Sequence, residues 1–107
     1  MILRGGENIY PIEIENRLAG HADIDDAAVI GVDDAELGQV VKAFVVRRAG
    51  SDLTGEQVRA WCAEALAGFK VPVSVEFRET LPYTETGKLL KQQLEAEERA
   101  AIESHSH

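Results

Sequence analysis

The chain of 107 residues has a single cysteine, Cys62. That excludes an internal disulfide framework and a cysteine-based zinc site. Positive charge is scarce: 11 Lys and Arg stand against 19 Asp and Glu, a formal net charge of −8. This balance argues against nucleic acid or an anionic membrane surface as the main partner. No apolar run approaches the roughly 20 residues that span a bilayer. The start, Met1-Ile2-Leu3-Arg4, lacks the apolar stretch of a signal peptide. There are no internal repeats. These absences point to a soluble protein of a reducing compartment, the cytoplasm. What is present is ordinary for a globular domain: 45% apolar and 28% charged residues. The length fits one domain, which buries about 60–70% of the surface its unfolded chain exposes. A core of that size leaves little room for a large substrate pocket. Small-molecule chemistry would therefore use this chain as one wall of a site completed elsewhere.

The local patterns predict an α+β sandwich, a small central β-sheet with helices packed on it, in the order β-α-β-β-α-β-α. Residues from Met1 turn at Gly5-Gly6, where adjacent glycines permit backbone conformations closed to other residues. Pro11 suits the first position of a helix, with Ile14 and Leu18 on one face and Gly20 as the stop. Ala27 to Val32 reads as a buried strand and Asp33 to Gly38 as a turn. In Val40 to Arg48, Val41, Ala43 and Val45 share one face; Val40, Lys42, Phe44 and Val46 share the other. Thr54 and Gln57 form a capping box ahead of an apolar stripe of Val58, Trp61, Cys62, Ala65 and Leu66 that ends at Gly68. Cys62 and Trp61 read as packing. Val73, Val75 and Phe77 alternate with polar residues as a strand buried on one side. Leu81 to Gly87 is a loop, and a last helix is expected to begin near Gly87 or Lys88 and to carry Leu89, Leu90 and Leu94. The domain is placed at residues 1–95; residues 96–107, which include His105 and His107, read as a frayed polar tail. Asp23, Asp25, Asp26, Asp33 and Asp34 read as turns and strand flanks, and no metal site is assigned.

Two stretches carry chemistry. Leu81-Pro82-Tyr83-Thr84-Glu85-Thr86-Gly87-Lys88 ends in one cation, whose ammonium offers three donors to phosphate or carboxylate oxygens. It is not a Walker A loop, because Pro82 stands where that pattern needs glycine. The other stretch is Arg4-Gly5-Gly6-Glu7-Asn8-Ile9-Tyr10-Pro11. Read singly, each has a plain alternative: a solvated lysine at a helix start, and a glycine turn feeding a helix.

Taken in order, with Phe69-Lys70-Val71-Pro72 between them, these stretches resemble the C-terminal domain of adenylate-forming enzymes. That superfamily comprises acyl-CoA synthetases, nonribosomal peptide synthetase adenylation domains and luciferase. The likeness runs from Met1 to about Glu95 and is greatest to fatty-acyl- or aryl-CoA ligases. It implies a two-step ligase. A carboxylate attacks the α-phosphate of ATP, giving an acyl-adenylate and pyrophosphate, and the thiol of coenzyme A then displaces AMP. The resemblance makes Lys88 the adenylation lysine. Physically, a cation bridging two anions lowers their repulsion and stabilises charge growing on phosphate oxygens. Gly5, Gly6, Glu7 and Asn8 match the loop that lines the pantetheine tunnel in the second step. Phe69 and Leu37 match positions that lie against the coenzyme A nucleotide in some relatives, with Lys70 as a phosphate contact. The family's hinge residue would fall one or two positions before Met1. ATP, with its Mg²⁺, and the acyl group are expected in an N-terminal domain of the same enzyme, and the chain alone is expected to be inactive. In bacterial relatives, Pro82-x-x-x-x-Gly87-Lys88 resembles a substrate motif of protein lysine acetyltransferases, which makes Lys88 an expected modification site. Two alternatives stay open: an adenylation domain acting on a carrier protein, and a freestanding protein-binding module that is a lysine-acetylation substrate.

Overall fold

The computed structural model describes residues 1–105. The elements run β1 (Ile2–Arg4), β2 (Glu7–Ile9), α1 (Pro11–Ala19), β3 (Ile24–Asp34), β4 (Gly38–Arg47), α2 (Gly55–Ala63), a 3₁₀ turn (Gly68–Lys70), β5 (Ser74–Arg78) and α3 (Lys91–His105). The expected α+β sheet-and-helix sandwich is what the chain forms. It has one strand more than the order read from sequence, because the Met1–Tyr10 segment folds back on itself at Gly5-Gly6. Arg4 pairs with Glu7 and Leu3 with Asn8 across that turn.

β4 is the centre of the sheet. It pairs antiparallel with β3 from Asp34↔Gly38 to Asp26↔Val46 and, past an irregularity, at Ile24↔Arg47. Its other edge is shared: β1 meets it only at Arg4↔Gly38, and β5 runs parallel to it from Lys42↔Ser74 to Val46↔Arg78. A parallel pair requires a crossover, and α2 supplies it. The alternation in β4 is realised. Val41, Ala43 and Val45 face a core with Ile14 and Leu18 of α1 and Val58 and Cys62 of α2. Phe44 faces a second core on the other side with Ala28, Ile30, Leu81 and Leu94.

Three expectations at element ends are corrected. The α2 helix stops at Ala63, not Gly68. Ala65 is exposed and Leu66 only partly buried, so the stripe is shorter than its spacing suggested. The last helix begins at Lys91, not at Gly87 or Lys88, for reasons given below. That helix also runs on through His105, where a frayed tail was expected. Side chains hold it down: Leu94 is fully buried, Glu98 pairs with Lys42 at 2.6 Å, and Glu97 pairs with Arg78 at 3.2 Å. A buried leucine contributes about 1.5–3 kcal/mol. The part of the expected tail at 106–107, His107 included, lies outside the described residues.

Candidate functional site

The first loop is a two-residue hairpin. Gly5 and Gly6 have φ of +52° and +88°. Positive φ at both central positions defines a type I′ turn, whose twist matches the flanking strands. The hairpin does not stand alone. Gly5 N–H donates to the Leu37 carbonyl at 2.8 Å, tying the tip to the β3–β4 turn. That turn is itself built by Asp34, whose carboxylate accepts from the Glu36 and Leu37 amides, each at 2.9 Å. Those two amides hold the Asp34 carboxyl below its ordinary range. On the other flank, Arg4 Nη1 donates to the Phe69 carbonyl at 3.0 Å. Gly5, Gly6, Leu37 and Phe69 are thus brought together at one end of the sheet. Glu7 and Asn8 are exposed on β2 beside them, and Leu37 is 36% exposed. The Phe69 ring is half-buried against the first core. Lys70 is not free: its Nζ lies 2.9 and 3.0 Å from the two carboxylate oxygens of Glu13 on α1. A phosphate at Lys70 would have to displace that partner.

The second loop overturns the expected helix start at Lys88. Thr84 N–H donates to the Lys88 carbonyl at 2.8 Å, and Leu90 N–H donates to the Pro82 carbonyl at 2.8 Å. Lys88 N–H returns to Thr84 Oγ1 at 3.0 Å. Tyr83 and Leu89 form an isolated antiparallel bridge. Residues 82–90 therefore form a small hairpin closed by Gly87, whose φ of +87° no helix start could use. Successive side chains in a ladder alternate. Leu89 packs into the second core, so Lys88 projects the other way. Lys88 is exposed, and among the described residues no carboxylate lies within ion-pair distance of its Nζ. It is presented on a braced hairpin rather than a slack loop.

The two loops lie far apart. The glycine hairpin sits at the Asp34 end of β3, and the Lys88 hairpin is fastened near Asp26, at the other end. Eight residue steps along the strand separate those anchors, on the order of 25 Å. Asp26, Asp34 and Arg4 were not singled out from sequence as site residues. The aspartate three residues before Leu37 is a turn-forming signal that could have found Asp34. Nothing local marks Arg4 or Asp26.

A sequence model of the AMP-binding enzyme C-terminal domain matches residues 13–88. The chain belongs to this family. It is 53% identical over 91 residues to a feruloyl-CoA synthase of an Amycolatopsis species, covering 85% of this chain and 18% of that protein. Among solved structures, a Mycobacterium tuberculosis fatty acyl CoA synthetase matches with a TM-score of 0.88 and 38% identity, covering 94% of this chain and 20% of the other. ATP-bound MatB from Rhodopseudomonas palustris matches with a TM-score of 0.86 and 37% identity, covering 89% of this chain and 19% of the other. The chain thus spans about a fifth of the length of the relatives it matches. Among the described residues, no helix is long and apolar enough to cross a membrane.

Proposed function

We propose that this chain is the mobile C-terminal lid of an ATP-dependent ligase that joins a fatty or aryl acid to coenzyme A. Residues 1–95 carry the working parts, and residues 96–105 continue α3. The observation that carries this reading is the placement of two loops with different chemistry at opposite ends of β3. One fixed pose of the domain cannot offer both to the same cleft. Two poses can, one for each half-reaction, and the partner that supplies the cleft is the N-terminal portion of the same enzyme.

In the adenylation pose Lys88 enters the cleft. Its ammonium bridges the incoming carboxylate and the α-phosphate, lowering their repulsion as the acyl–phosphate bond forms and pyrophosphate leaves. An exposed lysine with no ion pair among the described residues has no partner there to give up on the way in. In the thiol pose Gly5-Gly6 and the adjoining Glu7 and Asn8 line the path of the pantetheine arm. Leu37 and Phe69 lie beside the nucleotide end of coenzyme A, with Lys70 near its phosphates. Glycines at the tip let a thin thiol approach the main chain. ATP and its Mg²⁺ bind chiefly to the N-terminal portion, so the chain alone is inactive. CoA rather than a carrier protein is the acceptor in this reading, in keeping with the CoA ligases it resembles. The cytoplasm is the compartment proposed, and Lys88 is proposed as a substrate for a protein lysine acetyltransferase.

The test is Lys88→Ala in the ligase that carries this chain. Adenylation, read by ATP–pyrophosphate exchange, is expected to fall about 10²–10³-fold. Thioester formation from preformed acyl-adenylate is expected to persist. Equal loss in both half-reactions would overturn the assignment.

A further inference from the structure

The hairpin that presents Lys88 joins the body of the domain through Leu81 and Leu89 in the second core and through a polar contact made by Tyr83. Tyr83 donates its phenolic hydroxyl to Asp26 Oδ2. The two residues are 57 apart in sequence. Asp26 is aimed for this, because its other oxygen, Oδ1, accepts from the Ala27 amide at 2.9 Å. A carboxylate fixed by its own backbone is a firmer anchor than a free rotor. On the far flank of the hairpin, Lys91 Nζ lies 2.8 Å from Glu15 Oε2. The same Glu15 oxygen accepts from Val29 N–H at 3.0 Å. The segment 83–91 is therefore stretched between two carboxylates, one on β3 and one on α1, with Lys88 between them and pointing out.

We infer that the Tyr83–Asp26 bond is a latch that positions Lys88 for adenylation, an inference that rests on the role proposed above for that lysine. Tyr83 and Asp26 touch no reacting atom; they are positioning residues. Without the latch the hairpin keeps its internal ladder and its Leu89 contact, but it can tilt about that contact. A tilt of about 1 Å at the lysine end is enough to cost a large part of the rate. The Tyr83 hydroxyl is suited to the task. The acceptor carboxylate and partial burial push it up to about 12, so it stays a donor throughout the working pH range.

The experiment uses the ligase that carries this chain, with each half-reaction measured separately. Tyr83→Phe keeps the ring and removes the bond. Pyrophosphate exchange is expected to fall about tenfold to a hundredfold, with thioester formation from acyl-adenylate unchanged. Asp26→Ala is expected to match it, and the double variant to be no slower than either, since all three break one bond. Asp26→Asn is expected to recover most of the rate. Its amide oxygen can still accept from Ala27 N–H while Nδ2 donates to the phenol oxygen. A structural role alone would slow both half-reactions together, and that result overturns the latch. So does wild-type adenylation in Tyr83→Phe, or losses that multiply in the double variant. Lys88→Ala run alongside separates the two ideas. Full adenylation without Lys88 defeats the proposed role of the lysine. Loss in Lys88→Ala with none in Tyr83→Phe defeats only the latch.

Discussion

The glycine hairpin allows stability and function to be separated by substitution. A Cβ built on Gly6 meets nothing within 4 Å, and one on Gly5 meets only Leu37 Cδ2 at 4.0 Å. Any cost of a side chain at the tip is therefore conformational, not steric. A residue with a Cβ pays about 1–2 kcal/mol in the left-handed region, whereas asparagine visits it readily. Asn-Gly is also the pair that type I′ turns prefer. Gly6→Ala is expected to destabilise the domain by about 1 kcal/mol, which lowers Tm by about 4–8 °C for a domain of this size. Gly5→Asn is expected to stay within about 0.5 kcal/mol of the parent. Urea titration followed by far-ultraviolet circular dichroism measures both. In the ligase, the ranking reverses where it matters. Gly5→Asn places an amide on the surface proposed to face the thiol arm, so thioester formation is expected to drop about tenfold or more while adenylation is untouched. A Gly6→Ala variant as stable as the parent would refute the turn geometry. A Gly5→Asn variant with full thioester formation would refute the role of the hairpin.

Other outcomes follow from the same structure. Burial pushes the Cys62 thiol up to about 11, against a partial offset from Arg17. The thiolate is the reactive form, so a thiol reagent at about pH 8 is expected to label the chain only after denaturation; rapid native labelling would contradict the packing. Glu76 is pushed upward by burial, but hydrogen bonds from Arg78 and Lys42 outweigh it and leave its carboxyl below the ordinary range. The stability it contributes is fully present above its unfolded value of about 4.3 and is lost as pH falls through the lower folded value. Glu76→Gln is thus expected to show a shallower loss of stability below about pH 4.3 than the parent in acid titrations of the denaturation midpoint. Incubation with a protein lysine acetyltransferase and acetyl-CoA, followed by mass spectrometry, is expected to find Lys88 acetylated and adenylation lost with its charge; an unmodified Lys88 would argue against that partner.

Short-range chemistry was legible without coordinates. The Thr54–Gln57 capping box forms both of its reciprocal bonds, at 2.9 and 3.2 Å. The alternation from Val40 onward assigned β4 residues to the correct faces. Cys62 proved to be core. Each of these depends on residues a few positions apart, where periodicity and propensity dominate. The last helix was misplaced for a related reason. Leu89, Leu90 and Leu94 suit a helix face, but the Thr84-to-Gly87 turn pairs Tyr83 with Leu89 and delays the helix to Lys91.

By itself, then, the sequence determined most element types, the two faces of the central strand, the glycine turn and the order of motifs that marks the family. Tertiary structure alone decided that the two chemically distinct loops stand at opposite ends of β3. It also decided that Arg4 holds the Phe69 carbonyl across 65 positions and that Asp26 receives Tyr83 across 57. Such bonds have no local signal, because their partners meet only after the β3–β4 register and the β4–α2–β5 crossover are in place.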